Sequence, residues 1–347
     1  MKELLRELVE TPGVSGDEHR IRDKIKTHVE ENADSILEDD FGNLIVEKGS
    51  GEKTLMIMAH MDQIGLAVKR IDEDGYIRVS KVGGIYENGV INQRFKIFAD
   101  NKVLNAVAGA RPPHLAKSGD EDYRELPKLK DMFLDVGAED KEHAKSMGIQ
   151  VGDYISYDRE LKDLEGDYVT GPAFDNRVGC AILIELLKRF DEDYELVAVF
   201  SAQEEVGTKG AKTSTFSVNP DAALALDIGM AGDTPGISPD ESDDSLGDGA
   251  GIDMLQAGGR GLISSKKIRN WLIETAEKND CNYFRSLYEG GATDAASIEL
   301  QRDGIPTGSV GVPIRNLHSP TEVVKISDMK DTADYLEQVT KTLENYF

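Results

Sequence analysis

The chain has 347 residues, 39% of them apolar, which is enough to bury a real core and long enough for two domains at about 150 residues each. Its formal net charge of −25 repels nucleic acid and anionic membranes. Two cysteines are too few for a secreted disulfide scaffold, and no apolar run approaches the roughly 18 residues that span a bilayer.

In chain order, Leu4, Leu5, Leu8 and Val9 form one helical face, and Ile21, Ile25 and Val29 line a second helix beyond TPGVSG. Ser15 or Asp17 is placed to cap that second helix. The opening MKELLRELVETPGVSG is amphipathic and acidic, without the continuous apolar stretch of an export signal, so the expectation is a soluble, cytoplasmic chain. Strand-like runs follow at Asn43–Val46 and Thr54–Ala59, the second almost wholly apolar, as in a strand buried on both faces. Residues 67–164 change texture: short β-like runs (IRVSKVGG, RFKIFA, LNAVAGA, MFLDVGA, DYISY) alternate with Gly, Asn, Asp and Pro clusters, with one short helix at Lys141–Met147. This reads as an all-β insert within a domain made of residues 1–66 and 165–347.

From Thr170 strands and helices alternate: helix Val178–Phe190, strand Glu195–Phe200, helix Thr208–Thr213, strand Ala222–Asp227, helices Ser264–Asn279 and Asp294–Leu300, strand Thr307–Val312, helix Ser327–Tyr346. That order predicts an α/β fold, a central sheet with helices on both faces. The acidic, glycine-rich Gly232–Gly251 reads as a loop.

Ligands of open α/β sheets gather at the carboxyl ends of strands, and metal-capable side chains recur there. His60 ends the buried Thr54–Ala59 run, and Asp62 follows where it can orient the imidazole. Asp175 precedes a helix and, alone, would read as a cap. Glu204 and Glu205 are adjacent at the end of an apolar strand, which is costly near a core unless a cation offsets the repulsion. One of them can bind metal while the other takes a proton from an activated water. Asp227 is a lone charge in an apolar strand, and His318 lies in the loop after Thr307–Val312. Two His, two Asp and one Glu form the mixed nitrogen and oxygen set expected of zinc, cobalt or manganese, and two metals sharing one carboxylate would use all five. Both cysteines, Cys180 and Cys281, fall in predicted helices; His19, His28 and His143 read as helix-surface residues, and His114 as part of a turn. No G-x-S-x-G elbow, P-loop or dinucleotide fingerprint is present.

The segments TPGVSGDE, AHMDQIGL, KVGG, ARPPH, FDNRVGCA, SAQEEVGTKGA, LALDIG, GGATDAASI and RNLHSPTE, in this order, resemble the tetrahedral aminopeptidases, peptidase family forty-two of the dinuclear metallopeptidase clan. The resemblance implies a zinc-peptidase-like α/β domain with a PDZ-like or dimerisation insert, and two divalent cations per subunit. Asp175 would bridge them, with His60 and Asp227 completing one site and Glu205 and His318 the other. Glu204 would be the general base, Asp62 the partner of His60, and the Asp175–Asn176 bond cis. Asn176 stands where many relatives carry a second acid. Thr293 and Asp294 resemble a substrate-side loop, a reading that competes with a plain helix start. Short peptides would be the substrates, and a homo-oligomer, a dodecamer by resemblance, the assembly. A deacylase or carboxypeptidase on the same scaffold is the nearest enzymatic alternative; a non-catalytic scaffold would have lost a ligand or the base, and none is missing.

The acidity fits a high-salt cytoplasm, where screening relieves self-repulsion, and equally fits ordinary surface solubility. The first reading expects the thermal midpoint to climb steeply between low and molar KCl; a flat melting curve series would end it.

Overall fold

The computed structural model describes residues 1–100, 102–111 and 127–347. Helices α1 (Lys2–Val9) and α2 (His19–Val29) precede strands β1 (Ser35–Glu38), β2 (Leu44–Lys48) and β3 (Thr54–His60). Strands β4 (Gly65–Ile71), β5 (Ile77–Val82), β6 (Arg94–Ala99), β7 (Lys102–Gly109), β8 (Phe133–Asp135) and β9 (Tyr154–Tyr157), with helix α3 (Lys141–Ser146) before β9, form the next unit. Then come β10 (Lys162–Asp163), β11 (Tyr168–Gly171), α4 (Phe174–Arg189), β12 (Glu195–Ser201), α5 (Lys209–Val218), β13 (Ala222–Met230) and β14 (Ala250–Leu255). The chain closes with α6 (Lys266–Lys278), β15 (Tyr283–Leu287), α7 (Ala295–Ile298), β16 (Thr307–Ile314), β17 (Glu322–Lys325) and α8 (Ile326–Thr340).

The α/β expectation holds. An 8-stranded sheet runs β1-β2-β12-β3-β13-β16-β14-β15. Its middle strands β12, β3, β13 and β16 are mutually parallel. Alternate side chains point to opposite faces, and the sequence divides accordingly. Leu55, Ile57 and Ala59 of β3, Leu196, Ala198 and Phe200 of β12, and Leu224 and Leu226 of β13 pack against the helices α1, α2, α4, α6 and α8. Met56 and Met58, Val197 and Val199, and Ala223 and Ala225 face the other way, onto α5 and α7. Trp271 of α6 is fully buried beneath the first face, its indole N–H donating to Thr342 Oγ1 at 2.9 Å.

Strands β4-β5-β8-β7-β6-β9 close into a barrel around its own apolar core, which includes Leu66, Ile77, Phe95, Ile97, Leu134 and Ile155. Each of these six strands therefore has a neighbour on both sides. A 3-stranded sheet, β10-β11-β17, sits beside the main one and pairs Gly171 with Glu322.

Several elements differ from the sequence reading. Strands β1, β4, β10, β11, β14, β15 and β17 were not anticipated, and β14 emerges from the end of the segment read as a loop. Cys281 lies beyond α6, because Asn279 ends the helix and Asp280 turns left-handed at φ 53°. The second helix carries no side-chain cap: Ser15 is engaged elsewhere, donating to Asp62. His114 and most of the ARPPH stretch lie outside the described residues.

Candidate metal centre

Strand parity puts the first group of site residues on one face. His60 continues the Met56, Met58 series, Ser201 the Val197, Val199 series, and Asp227 the Ala223, Ala225 series. Ser201 pairs with His60 across β12 and β3. Between β3 and β13, Ala225 pairs with Met58, so the same register sets Asp227 level with His60. His60 and Ser201 are the last residues of β3 and β12, and Asp227 stands level with them in β13, which continues to Met230.

Asp175 enters from the side. It starts α4 with non-helical dihedrals, and its peptide bond to Asn176 is cis. Its two carboxylate oxygens face two different histidines: Oδ1 is 3.0 Å from His60 Nε2, and Oδ2 is 3.4 Å from His318 Nε2. Asp227 Oδ1 lies 3.8 Å from His60 Nε2, and Glu205 Oε2 lies 3.8 Å from His318 Nε2. Two ligand groups result, His60–Asp175–Asp227 and Asp175–Glu205–His318, each with its donor atoms within 4.8 Å of one another. Glu204 Oε2 is 3.9 Å from His60 Nε2. The sequence-selected His60, Asp175, Glu204, Glu205, Asp227 and His318 therefore converge on one place.

Neighbouring polar groups hold these side chains. His60 Nδ1 lies 3.2 Å from the Asp62 carbonyl oxygen and 3.5 Å from Asp62 Oδ1. Fully buried Asp62 also accepts Ser15 Oγ–H at 2.6 Å and the backbone N–H groups of Glu204 and Glu205 at 2.9 and 3.2 Å. It thus orders both glutamates as well as the imidazole. His318 Nδ1 is 3.0 Å from the carbonyl oxygen of Gly84, in the barrel's KVGG turn. A Cβ at Gly84 would stand 2.7 Å from that same nitrogen, so only glycine lets the barrel approach the site this closely. Asn176 does not face the ligands. Its amide donates to the Leu226 carbonyl at 2.8 Å and its oxygen accepts the Gly179 N–H at 2.9 Å, a pairing that requires a donor and an acceptor on one side chain.

The electrostatics call for a cation. Burial pushes the carboxyls of Glu205 and Asp227 up to about 8, with Asp175 adding to both. Burial and the carboxylates of Asp294, Asp227 and Glu205 raise Glu204 well above the usual range, despite nearby His60. Burial opposes a charge on His60, but Asp175 and Asp62 outweigh it and hold its pKa well above 6.5. Asp175 holds His318 up at about 9, and the two histidines hold Asp175 low against its burial. Glu205 Oε1 is buried without a hydrogen-bond partner. An orphaned carboxylate oxygen beside clustered acids and two imidazoles is the donor set that a divalent cation satisfies.

A cavity of about 1280 Å³ opens over these residues, lined also by Ile85, Tyr86, Tyr288 and Thr293. Thr293 Oγ1 donates to Gln256 Oε1 at 3.1 Å. Asp294 is not among the lining residues: it is buried, and its Oδ2 accepts Ser201 Oγ–H at 2.5 Å. Sequence reasoning missed Ser15, Ser201, Gln256 and Glu322, whose roles depend on contacts between distant segments.

The M42 glutamyl aminopeptidase family matches residues 42–335. A lysyl aminopeptidase of Pyrococcus furiosus is 31% identical over 99% of this chain and 97% of its own length. An aminopeptidase structure from Desulfurococcus kamchatkensis superposes with a TM-score of 0.92 at 34% identity, covering 97% of this chain and 93% of that one. The TET1 peptidase of Pyrococcus horikoshii, described as assembling into a tetrahedron or a large octahedral shell, aligns at TM-score 0.88 and 32% identity over 97% and 98% of the two chains.

Without a cation, Glu205, Asp227 and His318 bind protons more tightly in the folded chain, at about 8, 8 and 9, than in the unfolded one, at about 4, 4 and 6.5. Folded protein then carries extra protons between about pH 4 and pH 9, so its stability falls as pH rises through that window. Asp175 acts oppositely, but only at acid pH. Metal-stripped protein is expected to melt at progressively lower temperature from pH 5 to pH 9, and added zinc to reverse the loss at pH 8. A stripped midpoint that rises across this range would contradict the assignment.

Proposed function

From a chain that belongs to the M42 aminopeptidase family, and is therefore a peptide hydrolase, we infer an enzyme that removes N-terminal residues from short peptides with two divalent cations per subunit. Zinc or cobalt suits the ligand set best, and manganese is compatible with it. His60, Asp175 and Asp227 would hold one ion, and Asp175, Glu205 and His318 the other. The observation that carries this reading is Asp175, with one oxygen turned to each histidine, at 3.0 and 3.4 Å.

Two such cations, when bound, supply Lewis acidity that brings a water's pKa toward 7 and polarises a peptide carbonyl. The protein supplies the proton traffic. Glu204 stands beside the cluster, lines the cavity and has a raised pKa, so it can take the proton of the attacking water and later deliver it to the leaving amine. Asp62 keeps Glu204 in place through the Glu204 N–H and fixes the imidazole of His60 from behind. Thr293, on the cavity wall, is the group best placed to meet the peptide; Asp294 supports that wall through Ser201.

The residue 67–164 insert, whose core is the barrel, would serve as the dimerisation module and bring Gly84 to His318. By likeness to TET1 peptidase structures, one of them a dodecamer and one a tetrahedron or octahedral shell, the assembly would be a closed homo-oligomer, a dodecamer, that admits short or unfolded peptides. Among the described residues no helix is long and apolar enough to cross a membrane. The family description and the Pyrococcus furiosus relative name different residues, glutamyl and lysyl, so family membership leaves the side-chain preference open.

Replacing Glu204 with Gln keeps the shape and removes the base. The variant is expected to retain two metal ions by elemental analysis, while turnover of aminoacyl-p-nitroanilides falls about 10²- to 10⁴-fold. Near-normal turnover would refute the role given to Glu204.

A further inference from the structure

Glu322 lies in the loop-proximal end of β17 and is 2% exposed. Its two oxygens reach in different directions. Oε1 accepts the backbone N–H of His318 at 3.0 Å, and Oε2 accepts the backbone N–H of Asp175 at 3.2 Å. One carboxylate thus ties together the main chains of two candidate ligands that are far apart in the sequence.

The fold explains how it gets there. Strands β11 and β17 pair antiparallel with Gly171 opposite Glu322, so the residue sits beside the turn that leads into α4 and Asp175. Arg315 and Val323 exchange backbone hydrogen bonds, closing a loop with His318 at its tip. Both tied segments have unusual backbones: Ala173 and His318 occupy the left-handed region at φ 56° and 57°. Left-handed backbone at non-glycine residues is costly and persists where surrounding bonds enforce it. Asp62 does the same for the other side of the cluster, accepting the N–H groups of Glu204 and Glu205.

We propose that Glu322 is the positioning residue of the Asp175–Glu205–His318 ion site, setting the separation between Asp175 and His318 by clamping both backbones. The proposal rests on the two-metal reading. It predicts asymmetry, because two of the three ligands of this site hang on Glu322, against one of three in the His60–Asp175–Asp227 site.

The test is a metal-binding titration, not a rate. Full-length protein stripped of metal is titrated with Zn²⁺ against a chromogenic chelator, as wild type and as Glu322→Gln, which keeps the side chain's shape but replaces one acceptor with an NH₂ that faces an N–H. Wild type should take up two ions. In Glu322→Gln the affinity of one ion should fall about 10- to 100-fold, with the other falling distinctly less. Glu322→Asp, which keeps the charge but is too short to reach both N–H groups, should show the same asymmetry and serves if the Gln variant does not fold. Equal losses at both sites, or no loss at either, would overturn the proposal while leaving two metals intact. A wild-type chain that binds a single ion would overturn the two-metal reading and this inference with it.

Discussion

Burying a carboxylate away from water is expensive unless an opposite charge meets it, and the expense grows when carboxylates are neighbours. Around Asp175 the chain gathers Asp62, Glu204, Glu205 and Asp227, facing the two imidazoles of His60 and His318. Stability alone would not select this arrangement, since apolar residues of similar volume would serve a core better. The raised pKa values of Glu205 and Asp227 and the unpartnered Glu205 Oε1 measure the same imbalance from two directions. A pair of divalent cations would remove it. The rest of the site then follows as the means of holding anions together until the ions arrive.

The scaffold does this with short-range rules. Parallel strands β3, β12 and β13 run in register, with β13 continuing past Asp227 to Met230, so residues of matching parity, His60, Ser201 and Asp227, emerge on one face. Asp175 comes from outside the main sheet and must be positioned separately, which β11 and the start of α4 accomplish. His318 is further from regular structure still. It depends on a short loop, on the carbonyl of Gly84 in the barrel, and on Glu322. The barrel is therefore part of the site's geometry, and the glycines of KVGG are explained by approach distance: Gly83 and Gly84 stand where a side chain would press on Glu205 and His318.

Of the candidate ligands, His60 and Asp227 were the most legible, each a lone imidazole or charge at or within an apolar run. Thr54–Ala59 is a long β-type stretch that leads straight to His60, and Ala222–Leu226 makes Asp227 stand out as a charge in a strand that continues to Met230. The all-β texture of the insert was legible for a similar reason, from short runs between turn residues. Strands β14 and β15 were not. AGIDML carries a buried Asp253, satisfied by Ser286, Ser309 and Gln256, and YFRSL is half exposed, so neither shows the apolar pattern of the central strands. Ser15 looked like a helix cap because local spacing allowed it, but its hydroxyl is spent on Asp62. Glu322 could not be read at all, since its meaning appears only when β11 and β17 are side by side. Periodicity shows which face a residue occupies; it does not show which distant backbone will need an acceptor there.

Whether one carboxylate is shared by two ions can be seen directly. Anomalous diffraction from zinc-loaded crystals at the zinc edge should give two peaks per subunit, about 3.5–4 Å apart. Each peak should be bonded to a different oxygen of Asp175, with His60 on one and His318 on the other. A single peak, or two peaks with Asp175 bound to only one of them, would contradict it.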